Sequence, residues 1–122
     1  MSDAVDPNTA CLLRDWHAAV NARDLSTVLR LCTSDVAVTG PRGTGSGQDL
    51  MRDWLERSGI RLRLVSLKAF DDGVLAEQVA SWPAGTGAQE PMPCVTVFRV
   101  RDGKVSAVER YESLEAATAA RT

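Results

Sequence analysis

Apolar and polar positions recur along this chain with two different periods, and the change falls at Gly59. Before it the period is helical. Leu12, Leu13, Trp16, Ala19 and Val20 share one face of a helix that Asn8 or Thr9 is placed to cap and that stops near "NARD". Asp24 caps a second, short helix with Leu25, Val28, Leu29 and Cys32 at i, i+3, i+4 and i+7. "DVAVTG" alternates Val36 and Val38 with smaller residues, as a short strand does, and Gly40-Pro41-Arg42-Gly43 makes a turn. Ser46 and Asp49 form a capping-box-like start, with Asp in place of Glu. Leu50, Met51, Trp54 and Leu55 follow as the apolar face of a third helix, and Gly59 is its stop.

After Gly59 the period is two. Ile60, Leu62 and Leu64 alternate with Arg61 and Arg63, and the phase slips at Leu64-Val65, which predicts a bulge. "DDG" turns the chain into Val74 to Trp82, and the loop "PAGTGAQEPMP" follows. Cys94 to Val100, the turn "RDGK" and Val105 to Tyr111 read as a hairpin. Ser113 is the cap of a short alanine-rich helix. Helices and antiparallel strands are segregated, which is an α+β pattern. Residues 1–8 read as a polar tail and 9–122 as a single domain, consistent with 122 residues and one core.

Two details stay open. Glu77 and Gln78 lie on opposite sides of one strand, and either is the buried one. If "DG" is a two-residue turn, Thr96 faces Glu109, and alternation favours this pairing because it gathers Cys94, Phe98, Val100, Val105, Ala107 and Tyr111. If "RDG" is a type I turn with a glycine bulge, Arg110 and Val108 share the face of Thr96 and Phe98.

"TGPRGTGSGQDLMRDW" invites a phosphate-loop reading and fails it. No lysine follows the glycines, the last position of GxGxxG is Gln48, and Asp49 at the helix start repels a phosphate. The formal net charge of -2, with both signs interspersed, is no nucleic-acid footprint. No apolar run approaches the ~18 residues of a membrane span. Cys11, Cys32 and Cys94 are far apart and odd in number, so they are expected as reduced thiols in a cytoplasmic protein. The single histidine and the lack of a thiolate cluster argue against zinc, and no cofactor is expected.

The pieces "WHAAVNARDLSTVLRLCTSDVAVTGP", "GSGQDLMRDWLE" and "VFRVRDGKVSAVERYESL", in this order, resemble the nuclear transport factor 2-like superfamily, in particular its SnoaL-like and ketosteroid-isomerase-like branch. The resemblance implies a curved antiparallel sheet wrapped around the N-terminal helices as a cone with an apolar pocket, and a homodimer. It also implies where isomerase residues would stand. The general-base aspartate matches Gly40, the oxyanion-stabilising tyrosine Trp16, and the protonated aspartate falls near Thr96. All three are altered, so isomerisation by that mechanism is not expected. The resemblance favours the second hairpin register, with Arg110 turned to the pocket to orient a carboxylate or phenolate.

His17 is the only side chain whose ordinary pKa lies near neutrality, so it is the candidate acid or base; the alternative is a packed histidine satisfied by a backbone carbonyl. Trp16, Trp54 and Trp82 either form core or line a site for a flat ligand. The expected ligand contacts are Trp16, Trp54, Thr96, Phe98 and Arg110. The leading expectation is a domain binding an apolar small molecule. A SnoaL-like cyclase, isomerase, hydratase or hydrolase using His17 is the second, and a non-catalytic dimeric interaction module the third.

Overall fold

The computed structural model describes residues 5–40, 43–70, 73–81 and 91–120. Trp82, residues 83–90 of the loop after it and Asp71-Asp72 lie outside the described residues, and Met92 and Pro93, read as the end of that loop, belong instead to the strand that follows. Helix α1 spans Pro7–Asn21 and starts earlier than its pattern suggests. The Asp6 carboxylate, not Asn8 or Thr9, is the cap, accepting from the N–H groups of those two residues. Pro7 has no N–H to leave unpaired and suits the first turn. Residues 7 and 8, read as tail, therefore belong to the helix.

Helix α2 (Leu25–Arg30) is capped by Asp24, which accepts from the Thr27 N–H and hydroxyl. Cys32, read as the end of its apolar stripe, is instead the first residue of β1 (Cys32–Gly40). The helix cannot run on, because the Leu31 carbonyl accepts from the Val105 N–H of the sheet at 2.8 Å.

The glycine stretch is a strand and a helix entry. Strand β2 (Gly43–Ser46) pairs antiparallel with β1. Gly47, at φ 101, is the N-cap of α3 (Gln48–Ser58); no side chain caps that helix, so the expected role of Ser46 is not seen. Only glycine adopts this backbone without strain. A Cβ on Gly45 would fall 2.5 Å from the Leu50 side chain, so that glycine serves close packing. Gly59, in the left-handed region at φ 62, ends α3 as expected.

Strands β3 (Arg61–Phe70), β4 (Gly73–Ser81), β5 (Met92–Arg101) and β6 (Lys104–Tyr111) follow as an antiparallel meander. The sheet has six strands in the order β2-β1-β6-β5-β4-β3, and it is curved and unclosed. It is antiparallel except where β1 meets β6 in parallel. That join is made possible by the long crossover from β1 through α3 and the meander. The bulge expected at Leu64-Val65 is present: Val65 is the extra residue opposite Gln78 and Glu77. Such bulges bend a strand and deepen the curl of a sheet.

The sheet has an inner and an outer face. The inner face packs Val36, Leu62, Val74, Ala76, Ala80, Phe98, Val105 and Val108 against Leu13, Trp16, Val20, Val28, Met51 and Leu55 of the first three helices. The outer face carries Leu75, Val95 and Val97, with Ala117 of α4 (Leu114–Ala120) packed on them. The Ser113 hydroxyl caps α4 by accepting from the Ala116 N–H. Among the described residues, no helix is long and apolar enough to cross a membrane.

Candidate functional site

Strand β4 places Val74, Ala76, Gln78 and Ala80 on the inner face by simple alternation, so a glutamine takes a position its neighbours fill with apolar groups. This resolves the choice between Glu77 and Gln78. Gln78 is 2% exposed, while Glu77 turns outward to Ser66 and Lys68. An amide buried in this way needs partners for its oxygen and both of its hydrogens. Its oxygen and its nitrogen each find a partner, on two elements. Its Nε2 lies 2.8 Å from Nε2 of His17 on α1. Its Oε1 accepts from the Thr96 hydroxyl at 2.8 Å and from the Cys94 thiol at 3.5 Å, both on β5.

His17 is 4% exposed. Its Nδ1 is 2.7 Å from the Leu13 carbonyl one turn earlier in α1. A carbonyl only accepts, so Nδ1 carries the hydrogen; in the neutral ring Nε2 is then bare and accepts from Gln78. Burial holds the His17 pKa below its ordinary 6.5, with the Leu13 carbonyl pulling the other way. The ring is an acceptor at neutral pH rather than a stored cation.

Aromatic rings surround this polar group. Trp16 lies edge-on to His17 at 5.2 Å and to Phe98 at 5.0 Å, and His17 lies edge-on to Phe98 at 5.6 Å. Trp54 of α3 stacks on Trp16 at 6.0 Å with the planes 15° apart. Trp16 and Phe98 have no exposed surface, whereas Trp54 is half-buried. Helical spacing on α1 and α3 and the inward phase of β5 thus bring Trp16, His17, Trp54, Thr96 and Phe98 into one cluster. The Trp16 indole N–H is buried without an oxygen or nitrogen partner. The Cys32 sulfur lies beside it; burial pushes that thiol up to about 11, opposed by the indole. Cys94 is likewise raised by burial, against the pull of the Arg110 guanidinium. Neither thiol is a thiolate near neutral pH, so neither is primed as a nucleophile.

The last hairpin combines the two expected registers. Asp102 and Gly103 both have positive φ, at 54 and 74, and Arg101 pairs with Lys104, so the turn is the two-residue kind. Yet the pairing beyond it is the other one: Thr96 opposes Arg110. The register shifts between Arg99 and Val100, where Ser106 is the extra residue of β6. Arg110 therefore shares the inner face with Thr96, Phe98 and Val108. Glu109 turns outward to pair with Arg99 at 3.4 Å.

Other residues singled out in the sequence stand apart from this cluster. Gly40 belongs to β1. Arg63 is exposed, and Arg61 is half-buried beside Arg23. A surface groove of about 310 Å³ between α1 and β3, lined by Arg14 and residues 64–67 among others, shares no residue with the cluster. Among the described residues, no group of three His, Cys, Asp or Glu side chains is arranged to hold a metal ion. Gln78 was the residue that pattern reading left undecided. Alternation gave no signal to separate it from Glu77, because Leu75 and Val79 make that residue's phase apolar as well.

A curved sheet closed on one side by three helices, with an aromatic and polar interior, is the architecture of the nuclear transport factor 2-like superfamily. Within it the chain belongs to the SnoaL-like domain family, whose model matches residues 13–108. No curated protein sequence matches it. Solved structures share the fold. One is an uncharacterised cystatin-fold protein from Novosphingobium aromaticivorans, with 21% identity, a TM-score of 0.73 and coverage of 88% of this chain and 99% of the other. A provisionally named ketosteroid isomerase from Kribbella flavida shows 20% identity, a TM-score of 0.75 and coverage of 93% and 82%. TerC, co-crystallised with polyporic acid, shows 20% identity, a TM-score of 0.75 and coverage of 93% and 97%.

Proposed function

We propose that this chain binds an apolar, flat small molecule on the inner side of the sheet, with Trp54 as the platform and Arg110 orienting an acidic group. The observation that carries the reading is the Trp16–Trp54 stack, one ring fully buried and the other half-buried. Such a pair offers a rigid aromatic surface continued from the core to the solvent. The shared fold of TerC, which was co-crystallised with polyporic acid, supports a ligand of this general kind. Trp16, Thr96 and Phe98 form the wall behind the platform. A two-fold dimer through the outer face of the sheet and a cytoplasmic setting, where Cys11, Cys32 and Cys94 stay free, complete the proposal.

The test is a fluorescence titration with planar aromatic carboxylates and their neutral amides. Trp54→Ala is expected to abolish quenching. Arg110→Gln is expected to weaken the acids about tenfold, ~1.4 kcal/mol, and the amides little. Equal loss for both series removes the orienting role of Arg110, and unchanged binding by Trp54→Ala removes the platform.

A second reading, an enzyme of the SnoaL-like type such as a cyclase, isomerase, hydratase or hydrolase, is favoured by a different observation. His17, Gln78, Thr96 and Cys94 form a connected polar group inside an apolar core, with His17 as the acid or base. Turnover that His17→Gln removes while binding persists would place this reading first. The third reading, an interaction module, is supported by how completely Trp16, Phe98, Thr96 and Gln78 fill the interior.

A further inference from the structure

We propose that Gln78 is a positioning residue for His17: its side-chain amide holds His17 as a neutral acceptor, and the amide must rotate before His17 can take a proton. The argument is a chain of donors that runs one way. The Leu13 carbonyl fixes the hydrogen on Nδ1 of His17. The bare Nε2 then requires an N–H, which Gln78 supplies. The amide oxygen, pointing the other way, requires donors, which the Thr96 hydroxyl and Cys94 thiol supply. Every member from His17 to Thr96 is nearly devoid of solvent contact, so water does not substitute for a missing partner.

Protonation of Nε2 breaks this order. The new N–H, its proton coming from water or from an acidic ligand, would face the N–H of Gln78. Turning the amide over repairs the contact: Oε1 accepts from His17, and the amide N–H groups turn to Thr96 and Cys94, whose oxygen and sulfur must then accept. The Thr96 hydroxyl and Cys94 thiol hydrogens, which had donated to Oε1, must turn to other acceptors at the same time. The state of His17 is therefore coupled to the orientation of two groups on β5, next to Arg110 on β6. The ionisable neighbours of this group among the described residues are Cys94 and Arg110, with Cys32 of β1 behind Trp16. The inference deepens the enzymatic reading only in what the proton would be used for; the coupling itself stands without turnover.

His17 is the only histidine, so ring-specific nitrogen labelling gives one pair of resonances to follow without ligand or substrate. The wild-type protein is expected to show a protonated Nδ1 and a bare Nε2 at neutral pH. Thr96→Val keeps the shape of the side chain but removes the hydroxyl that holds the amide oxygen. It is expected to free the rotation and raise the His17 midpoint several-fold in proton affinity. Gln78→Glu replaces the amide N–H by an acceptor and is expected to bring a proton onto Nε2 at neutral pH. A wild-type ring protonated on Nε2 overturns the proposal, as does an unmoved midpoint in folded Thr96→Val. Loss of turnover with both nitrogen signatures as expected bears on the enzymatic reading alone.

Discussion

Thr96 stands opposite Arg110 in the β5–β6 ladder, one residue away from the partner its tight turn dictates. The turn at Asp102-Gly103 on its own aligns Thr96 with Glu109. Ser106 absorbs the difference, and beyond it every side chain of β6 changes face. One extra residue thus decides whether a guanidinium or a carboxylate points toward the buried group around Gln78.

Deleting Ser106 removes the extra residue itself, so Ala107 follows Val105 directly and Thr96 still faces Arg110 in an unbroken ladder. Glu109 stays on the outer face with Arg99. The deletion variant is therefore expected to fold, with stability changed by ~1 kcal/mol or less, read as a small shift in melting temperature by circular dichroism. Ser106→Gly keeps the extra residue and is likewise expected to stay near the wild type. A large loss of stability in the deletion variant would show that the bulge does more than absorb one residue.

Most of the fold is legible in the sequence because it rests on period. Leu12 to Val20, Leu50 to Leu55 and the alternation after Gly59 each announce an element and its buried face. The slip at Leu64-Val65 announces a bulge because two apolar residues are adjacent. The bulge at Ser106 is silent, since Val105, Ala107 and Val108 fit either phase. Cap choice is a local competition between near-equal candidates, and so Asp6 displaced Asn8 and Thr9. Gln78 was undecidable from pattern alone, because Glu77 beside it is equally polar. Only the His17 ring across the interior, 61 residues away in sequence, makes the inward glutamine the satisfied one.

Gly73 opens β4 under the backbone of β5. A Cβ there would sit 2.5 Å from the Phe98 carbonyl oxygen, an atom that cannot move without disturbing the ladder. Gly73→Ala is therefore expected to cost ~1–3 kcal/mol, against the slight gain that the same change brings at unconstrained sites. Chemical denaturation measures it. Trp16 and His17 both pack on Phe98, so the tryptophan emission is expected to shift as well.

Asn21 closes α1 onto β3. Its side chain donates to the Leu62 carbonyl at 2.9 Å and accepts from the Leu62 N–H at 2.8 Å. β3 is an edge strand, and this amide covers one of its outward-facing peptide groups. Asn21→Leu leaves both backbone groups without that partner. It is expected to lower stability by ~1–3 kcal/mol and to speed hydrogen exchange at the Leu62 amide. Unchanged exchange at that amide would show that the contact is not maintained in solution.

His17 makes stability depend on pH in a definite direction. Burial lowers its folded-state pKa below the ordinary 6.5, so between the two values the unfolded chain binds more protons than the folded one. Stability from this group is whole above about pH 6.5 and declines as pH falls toward the folded value, by up to ~1.4 kcal/mol per pH unit. His17→Gln removes that titration. At pH 8 the variant is expected to be the less stable by ~1–3 kcal/mol, because the glutamine does not reproduce both contacts, to the Leu13 carbonyl and to Gln78. As pH falls from 7 to 5 the gap is expected to narrow, since only the wild type loses stability through this group. Urea melts of both proteins at each pH give the difference directly, and the carboxylates common to both cancel in it. A gap that stays constant across this range would mean that His17 titrates alike in the folded and unfolded chain, which its burial between Trp16, Phe98 and Gln78 does not permit.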